Sequence, residues 1–204
     1  VVGVSNLRDA VAQDRHEDPG VVRPLHLGFE GDFTRLPDPS GALLGTFAPA
    51  PENQGTDWIS LAADQCTLLY TSEGPSIKAY NVCTNLQLAD FATGLPSPCF
   101  AQRIRTNSEV LVACSTAVVR LGATGTVLQT YPATSLAATE GALFALNLDP
   151  DGTTFWTGGE VSGTIYRVNI ATGAVVSMFN AAPLTSLGGL TIFSEQIVSQ
   201  PTPT

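Results

Sequence analysis

A turn residue followed six positions later by an aromatic residue recurs four times along this chain and strongly constrains its fold. The turn residues, which are separated by steps of 44, 40 and 48 residues, are Gly41, Asn85, Gly125 and Gly173. Gly and Asn tolerate the positive φ that tight hairpin turns require. The aromatic residues are Phe47, Phe91, Tyr131 and Phe179. A period of about 40–50 residues built from short strands is typical of a β-propeller. We expect these aromatic residues to pack in the core between blades.

A second hairpin precedes three of these units, at residues 59–71, 101–113 and 145–157. Its first strand is apolar, as expected for a strand near the central axis of a propeller. An inner and an outer hairpin together supply the four strands of one blade. The sequence therefore predicts an all-β fold with three full blades of four antiparallel strands.

The two ends of the repeat each predict one further strand, at residues 22–28 and 187–193. If these strands share a composite blade, three full blades and one composite blade close a four-bladed ring and remove the exposed sheet edge. The alternative is that the chain is part of a larger propeller. Residues 1–21 are predicted to form an N-terminal arm, residues 22–199 the blades, and residues 200–204 the start of a Pro/Thr linker.

The charge balance argues against partners that carry phosphate. The net charge is −9, and Lys78 is the only lysine in 204 residues. Nucleic-acid binding needs many basic side chains, and so does binding to anionic membrane surfaces. No apolar run approaches the roughly 20 residues that a membrane-spanning helix needs. We therefore expect no nucleic-acid partner and no membrane insertion.

The four cysteines contain no CxxC pair, which argues against a zinc ribbon. A turn at residues 73–76 would place Cys66 directly opposite Cys83 on adjacent strands, close enough for a disulfide. A turn at residues 107–108 would make Cys99 and Cys114 diagonal neighbours on one face. Two disulfides would indicate an oxidising compartment, and the alternative is four free thiols.

No residue pattern predicts a catalytic, cofactor-binding or metal site. The run from Asp149 to Gly152 is interpreted as a Pro-Asp-Gly turn, because a calcium loop needs further oxygen ligands at regular spacing. His16 and His26 are the only histidines, and the chain has no G-x-S-x-G nucleophile elbow. The predicted inner strands are mainly apolar, with Arg103 and Asn147 as exceptions.

Residues 57–74 and 143–157 resemble blades of bacterial NHL-like or lyase-like β-propeller proteins, which are exported and mostly uncharacterised. The resemblance extends over residues 27–195 and implies the fold and an exported location. It implies no catalytic residue, since no functional motif of the family matches a position here.

These features favour a non-enzymatic extracellular module that contacts a protein or a glycan, or that builds a surface assembly with other copies of itself. The first alternative is a metal-dependent propeller enzyme of the lactonase or lyase type, which would need inward acidic, amide or imidazole groups from several blades. The second is a fragment of a longer propeller.

Overall fold

The computed structural model describes residues 2–5, 26–27, 34–37, 43–96, 98–136, 142–159, 161–181, 183 and 187–195. Apart from one short 3-10 helix at Ala133–Leu136, the regular elements are strands. They are β1 (Val2–Ser5), β2 (His26–Leu27), β3 (Thr34–Pro37), β4 (Leu43–Phe47), β5 (Ile59–Leu61), β6 (Thr67–Tyr70), β7 (Lys78–Asn81), β8 (Leu86–Gln87), β9 (Cys99–Ile104), β10 (Val110–Cys114), β11 (Ala117–Leu121), β12 (Val127–Pro132), β13 (Leu143–Leu148), β14 (Thr154–Gly159), β15 (Thr164–Asn169), β16 (Val175–Asn180) and β17 (Gly189–Ile192).

The strands form three four-stranded antiparallel sheets in which each strand pairs with its neighbours in sequence. They are the second sheet (β5–β8), the third sheet (β9–β12) and the fourth sheet (β13–β16). A three-stranded first sheet (β2–β4) and a terminal pair (β1 and β17) complete the set. The predicted all-β class and the three sets of four strands are confirmed. No helix in the described part of the chain is long and apolar enough to cross a membrane.

The backbone conformation confirms that the described turn residues of the repeat adopt positive φ. Asn85, Gly125 and Gly173 all have positive φ, of 58°, 80° and 74°. Gly41 lies outside the described residues. The inner hairpins contain a second series with φ of 58°, 66° and 67°, namely Gln65, Ser108 and Gly152. Each four-stranded sheet therefore has one left-handed residue in its inner turn and one in its outer turn.

The sheets pack face to face through apolar side chains. One cluster joins Leu69 and Ala79 of the second sheet to Val110 and Leu121 of the third. Another joins Leu111 of the third sheet to several residues of the fourth. Contacts between successive sheets thus supply most of the core, which is the arrangement expected of neighbouring blades.

The predicted composite blade is not seen. β17 pairs antiparallel with β1, with Val4 opposite Leu190, and the first sheet has only three strands. The N-terminal arm predicted at residues 1–21 thus contains a strand, Val2–Ser5, which lacks the turn-to-aromatic spacing of the repeat. Its two valines alternate with small residues, however, and this pattern suits a strand. In the described residues the sheets do not close into a ring.

Gly125 also marks a close approach between two sheets. A Cβ atom built on this residue would overlap the carbonyl oxygen of Phe91 in the second sheet, whereas one on Gly152 would have no neighbour within 4 Å. Both residues have positive φ. We therefore expect Gly152→Ala to lower the free energy of unfolding by about 1–2 kcal/mol, the cost of the left-handed conformation alone.

Gly125→Ala should lower the free energy of unfolding by about 2–4 kcal/mol, because the Phe91 backbone must also move. Urea unfolding of the two variants measures the difference. Equal losses would show that the turn does not rest against Phe91.

Candidate functional site

The first disulfide joins Cys66 to Cys83 across the hairpin of β6 and β7. The hairpin register places Leu68 opposite Tyr80, one residue away from the predicted register. Cys66 is therefore opposite Val82, whose amide N–H donates a 2.9 Å hydrogen bond to the Cys66 carbonyl, and the disulfide joins Cys66 to the next residue, Cys83. Cys83 is exposed and Cys66 is partly buried.

The second disulfide joins Cys99 to Cys114 inside the core of the third sheet, where both residues are fully buried. The two cysteines are not diagonal neighbours as predicted. A β-bulge after Ala113 shifts the register and places Cys114 directly opposite Cys99. No described cysteine is free. Two disulfides in one chain indicate an oxidising location.

A polar cluster joins the inner strands of the third and fourth sheets to Glu195, three residues after β17. The Glu195 carboxylate accepts hydrogen bonds from the Leu148 amide N–H (2.6 Å) and from Asn147 Nδ2 (3.0 Å). It also forms an ion pair with Arg103, with 2.9 Å between Nε and Oε1. The Arg103 guanidinium lies over the Trp58 ring, 4.8 Å from its centroid. We call these four side chains, Trp58, Arg103, Asn147 and Glu195, the Glu195 cluster.

The sequence predicts Arg103 and Asn147 as polar exceptions on the inner strands, and the structure brings both into contact with Glu195. Glu195 itself is not predicted. The available signal was that Glu195 is the only acidic residue after Glu160, just beyond an inner-type strand. Asn147 Oδ1 is buried and accepts no hydrogen bond from the protein. In this cluster the Arg103 guanidinium neutralises the Glu195 carboxylate, and the Asn147 amide donates a hydrogen bond to it.

The turn between β13 and β14 is held by its own side chains. The Asp151 carboxylate accepts bonds from the Thr153 and Thr154 amides, and hydrogen bonds from these two residues lower its pKa. Arg167 forms ion pairs with both Asp149 (3.1 Å) and Asp151 (2.8 Å). In the described ranges, no group of three or more His, Cys, Asp or Glu side chains is placed to hold a metal ion.

Asp57 is the described carboxyl group whose pKa is most strongly raised. Burial, together with the negative charge of Glu73, raises the pKa of Asp57 from 3.8 to about 7. One of its carboxylate oxygens is buried and has no hydrogen-bond partner in the protein. With a pKa of about 7, Asp57 is partly protonated at neutral pH. Glu109 shows the opposite behaviour, because the hydrogen bond from Arg120 lowers its pKa to about 2.

One face of the fourth sheet is only partly covered, and its exposed residues lie on the last strand, β16. Trp156 is opposite Arg167, and Arg167 is opposite Ser177, so the three side chains share a face. Phe179 lies two residues beyond Ser177 on the same face, and its ring meets that of Trp156 edge-on at 6.0 Å. We call Trp156, Arg167, Ser177 and Phe179 the fourth-sheet face.

The prediction that the four repeated aromatic residues pack in the core is wrong for Phe179, which is 40% exposed. It is confirmed for Tyr131, whereas Phe47 and Phe91 are partly buried and pack against the edges of core clusters. Phe47 packs edge-on against Tyr80 of the second sheet, and Phe91 packs against a cluster that includes third-sheet residues. Tyr131 is only 2% exposed and packs against Phe155 of the fourth sheet. Among the described strands, no further four-stranded sheet packs against Phe179.

Comparison with known proteins assigns no family to the chain: no family model matches it, and no curated protein matches it significantly. The similarity to NHL-like or lyase-like blades therefore stays a prediction.

Replacing Glu195 tests the role of its cluster. Glu195→Ala leaves the Arg103 guanidinium and the Leu148 amide without this acceptor, so we expect the free energy of unfolding to fall by roughly 2–4 kcal/mol. The matched control is Asp90→Ala, which breaks a single ion pair with Lys78 and should cost at most about 1 kcal/mol. Urea unfolding measures the free energy of unfolding of both variants. Equal losses would mean that the Glu195 cluster does not anchor the segment after β17.

Replacing Asp57 tests its raised pKa. Because the folded pKa of about 7 lies above the ordinary 3.8, the folded state binds this proton more tightly than the unfolded state does. The contribution of Asp57 to stability is therefore full below about pH 4 and is lost as the pH rises through about 7. The free energy of unfolding of Asp57→Asn, measured by urea unfolding, should therefore decline less steeply between about pH 4 and pH 7 than that of the wild type. Parallel pH profiles would contradict the assignment.

Proposed function

We propose that the protein is an exported, non-enzymatic interaction module whose sheets are consecutive blades of a β-propeller. The observation that carries the proposal is the fourth-sheet face, where Phe179 is 40% exposed beside the partly buried Trp156. Aromatic residues grouped on a surface are characteristic of protein contact sites. The two disulfides support export, because such bonds persist in oxidising compartments.

The enzyme alternative depends on the Glu195 cluster, since this is where polar groups from several sheets meet. A metal-dependent mechanism would need the Glu195 and Asn147 oxygens to face the ion. Arg103 already supplies the positive charge beside Glu195, at 2.9 Å. The groups thus bond one another and hold the segment after β17 to the inner strands, which favours a structural role for the cluster.

A protein partner suits the fourth-sheet face better than a glycan does. Carbohydrate-binding aromatic residues present an open ring face to the sugar. Here Arg167 lies 5.7 Å from the centroid of the Trp156 ring, and Phe179 meets that ring from another side. The surface is a compact apolar patch beside a neutralised arginine, and apolar side chains of a protein would cover it best.

A photo-activated cross-linking residue at position 179 tests the proposal in the source cells. The matched control places the same residue at Val127, which is 58% exposed on the outer strand of the third sheet. We expect a covalent protein adduct from position 179 and little or none from position 127. Equal labelling at the two positions, or no adduct at either, would count against a contact site on the fourth-sheet face.

The exported location has its own measurement. Thiol alkylation of the native protein before reduction should leave all four cysteines unmodified, because both pairs are oxidised. Quantitative alkylation of Cys66 and Cys83, the more accessible pair, would place the protein in a reducing compartment and would argue against export.

A further inference from the structure

A short segment before β5 is held against the connection between β6 and β7. Residues 52–57, which we call the clasp, form no strand, and residues 71–77 are the β6–β7 connection. The Ser72 carbonyl accepts hydrogen bonds from the Asn53 and Gln54 amides, both at 3.2 Å. The Ser72 hydroxyl donates a further bond to the Gln54 carbonyl at 2.6 Å. The middle of the clasp is thus fixed to one buried residue of the connection.

Both ends of the clasp are held as well. The Glu52 carboxylate accepts hydrogen bonds from the Ser76 amide (3.1 Å) and the Ser76 hydroxyl (2.9 Å). At the other end, the Asp57 amide donates to the Thr71 carbonyl at 3.1 Å. None of these bonds belongs to a strand ladder, so the clasp can open without unpairing the second sheet.

The Asp57 carboxyl opposes this closed arrangement when it is ionised. One of its oxygens is buried and accepts no hydrogen bond in the protein, which is costly for a charged group. Glu73, in the β6–β7 connection, adds a repelling negative charge. Both effects raise the pKa of Asp57, and both are relieved when the clasp opens and water reaches the carboxylate. Proton release and opening are therefore coupled.

The basic groups of the adjoining strands do not relieve this charge. Lys78 on β7 forms an ion pair with Asp90, and Arg103 on β9 forms one with Glu195, each at 2.9 Å. β5 and β6 carry no charged residue. The Asp57 carboxylate therefore has no basic partner on these four strands.

We propose that the clasp is a pH-sensitive latch, closed on the β6–β7 connection while Asp57 carries its proton and opened more often once Asp57 has lost it. This opening is local, whereas the loss of stability expected above for Asp57 concerns the whole fold. It does not depend on a contact at the fourth-sheet face.

Thr71 links the clasp to the third sheet. Its hydroxyl accepts a 3.2 Å hydrogen bond from the Trp58 amide and donates one to the Phe100 carbonyl in β9. Thr71 and Ser72 are both fully buried. The clasp thus covers a polar link between the second and third sheets, and its opening exposes that link to water.

Amide-exchange NMR on the whole chain, corrected for the intrinsic effect of pH on exchange, tests the latch. The protection of the Asn53, Gln54 and Asp57 amides should fall by about tenfold per pH unit as the pH rises to about 7 and should level off above it. Each factor of ten per pH unit corresponds to one proton released on opening. Protection that does not depend on pH would overturn the proposal.

Low concentrations of urea distinguish local opening from unfolding of the whole chain. Local opening exposes little surface, so the protection of the clasp amides should be insensitive to urea. It should also be lower than that of the buried Val112 amide in β10, which should lose protection steadily as urea is added. If the clasp amides match Val112 in both respects, the clasp opens only with the whole fold and the proposal fails.

Two variants identify the group that titrates. Asp57→Asn cannot ionise, so its clasp should keep constant protection across the pH range. Glu73→Gln removes the repelling charge and should make the protection level off at a lower pH, and it decides the question if Asp57→Asn does not fold. The control is Asp64→Asn in the inner turn of the same sheet, which should keep the wild-type profile. A wild-type profile in either of the first two variants would overturn the proposal.

Discussion

The contact between the aromatic residue of one sheet and the outer turn of the next determines how the sheets of this protein stack. Tyr131 shows its components: an edge-on ring contact with Phe155, a hydrogen bond to a turn carbonyl, and a close approach to Gly173. Gly173 approaches the Tyr131 ring, whereas Gly125 approaches the backbone carbonyl of Phe91. Both contacts place a left-handed turn residue against the repeated aromatic position of the preceding sheet, so the repeat also reflects contacts between sheets.

This origin explains which parts of the fold were predictable. The turn residues Asn85, Gly125 and Gly173 were identified because positive φ restricts the choice of residue. The exact registers were not, because the turn length and any β-bulge each shift a hairpin by one residue and leave no trace in the apolar pattern. The Cys99–Cys114 hairpin contains such a bulge. The role of Val2–Ser5 was missed for a related reason: a four-residue strand outside the repeat has no turn signal, and only its pairing with β17 reveals it.

The candidate sites divide in the same way. Arg103 and Asn147 stand out in the sequence because a charge and an amide interrupt apolar inner strands. Their meeting with Glu195 depends on the return of the chain to the inner strands about 50 residues after Asn147, which local pattern cannot show. The uncovered face of the fourth sheet was hidden for the opposite reason. Phe179 fits the repeat, so the sequence predicted a buried residue, but no outer hairpin among the described residues packs beyond it.

The exposure of Phe179 also coincides with an unprotected strand edge. β16 carries no charged side chain, and its outer edge pairs with no other strand in the described ranges. Met178 on this strand is 64% exposed at a position where the other three repeats have Thr46, Asp90 and Thr130. Proteins usually protect free edges with charge, proline or a covering segment, because bare edges pair indiscriminately. β16 thus combines an exposed aromatic residue with an edge that carries neither charge nor proline and pairs with no described strand.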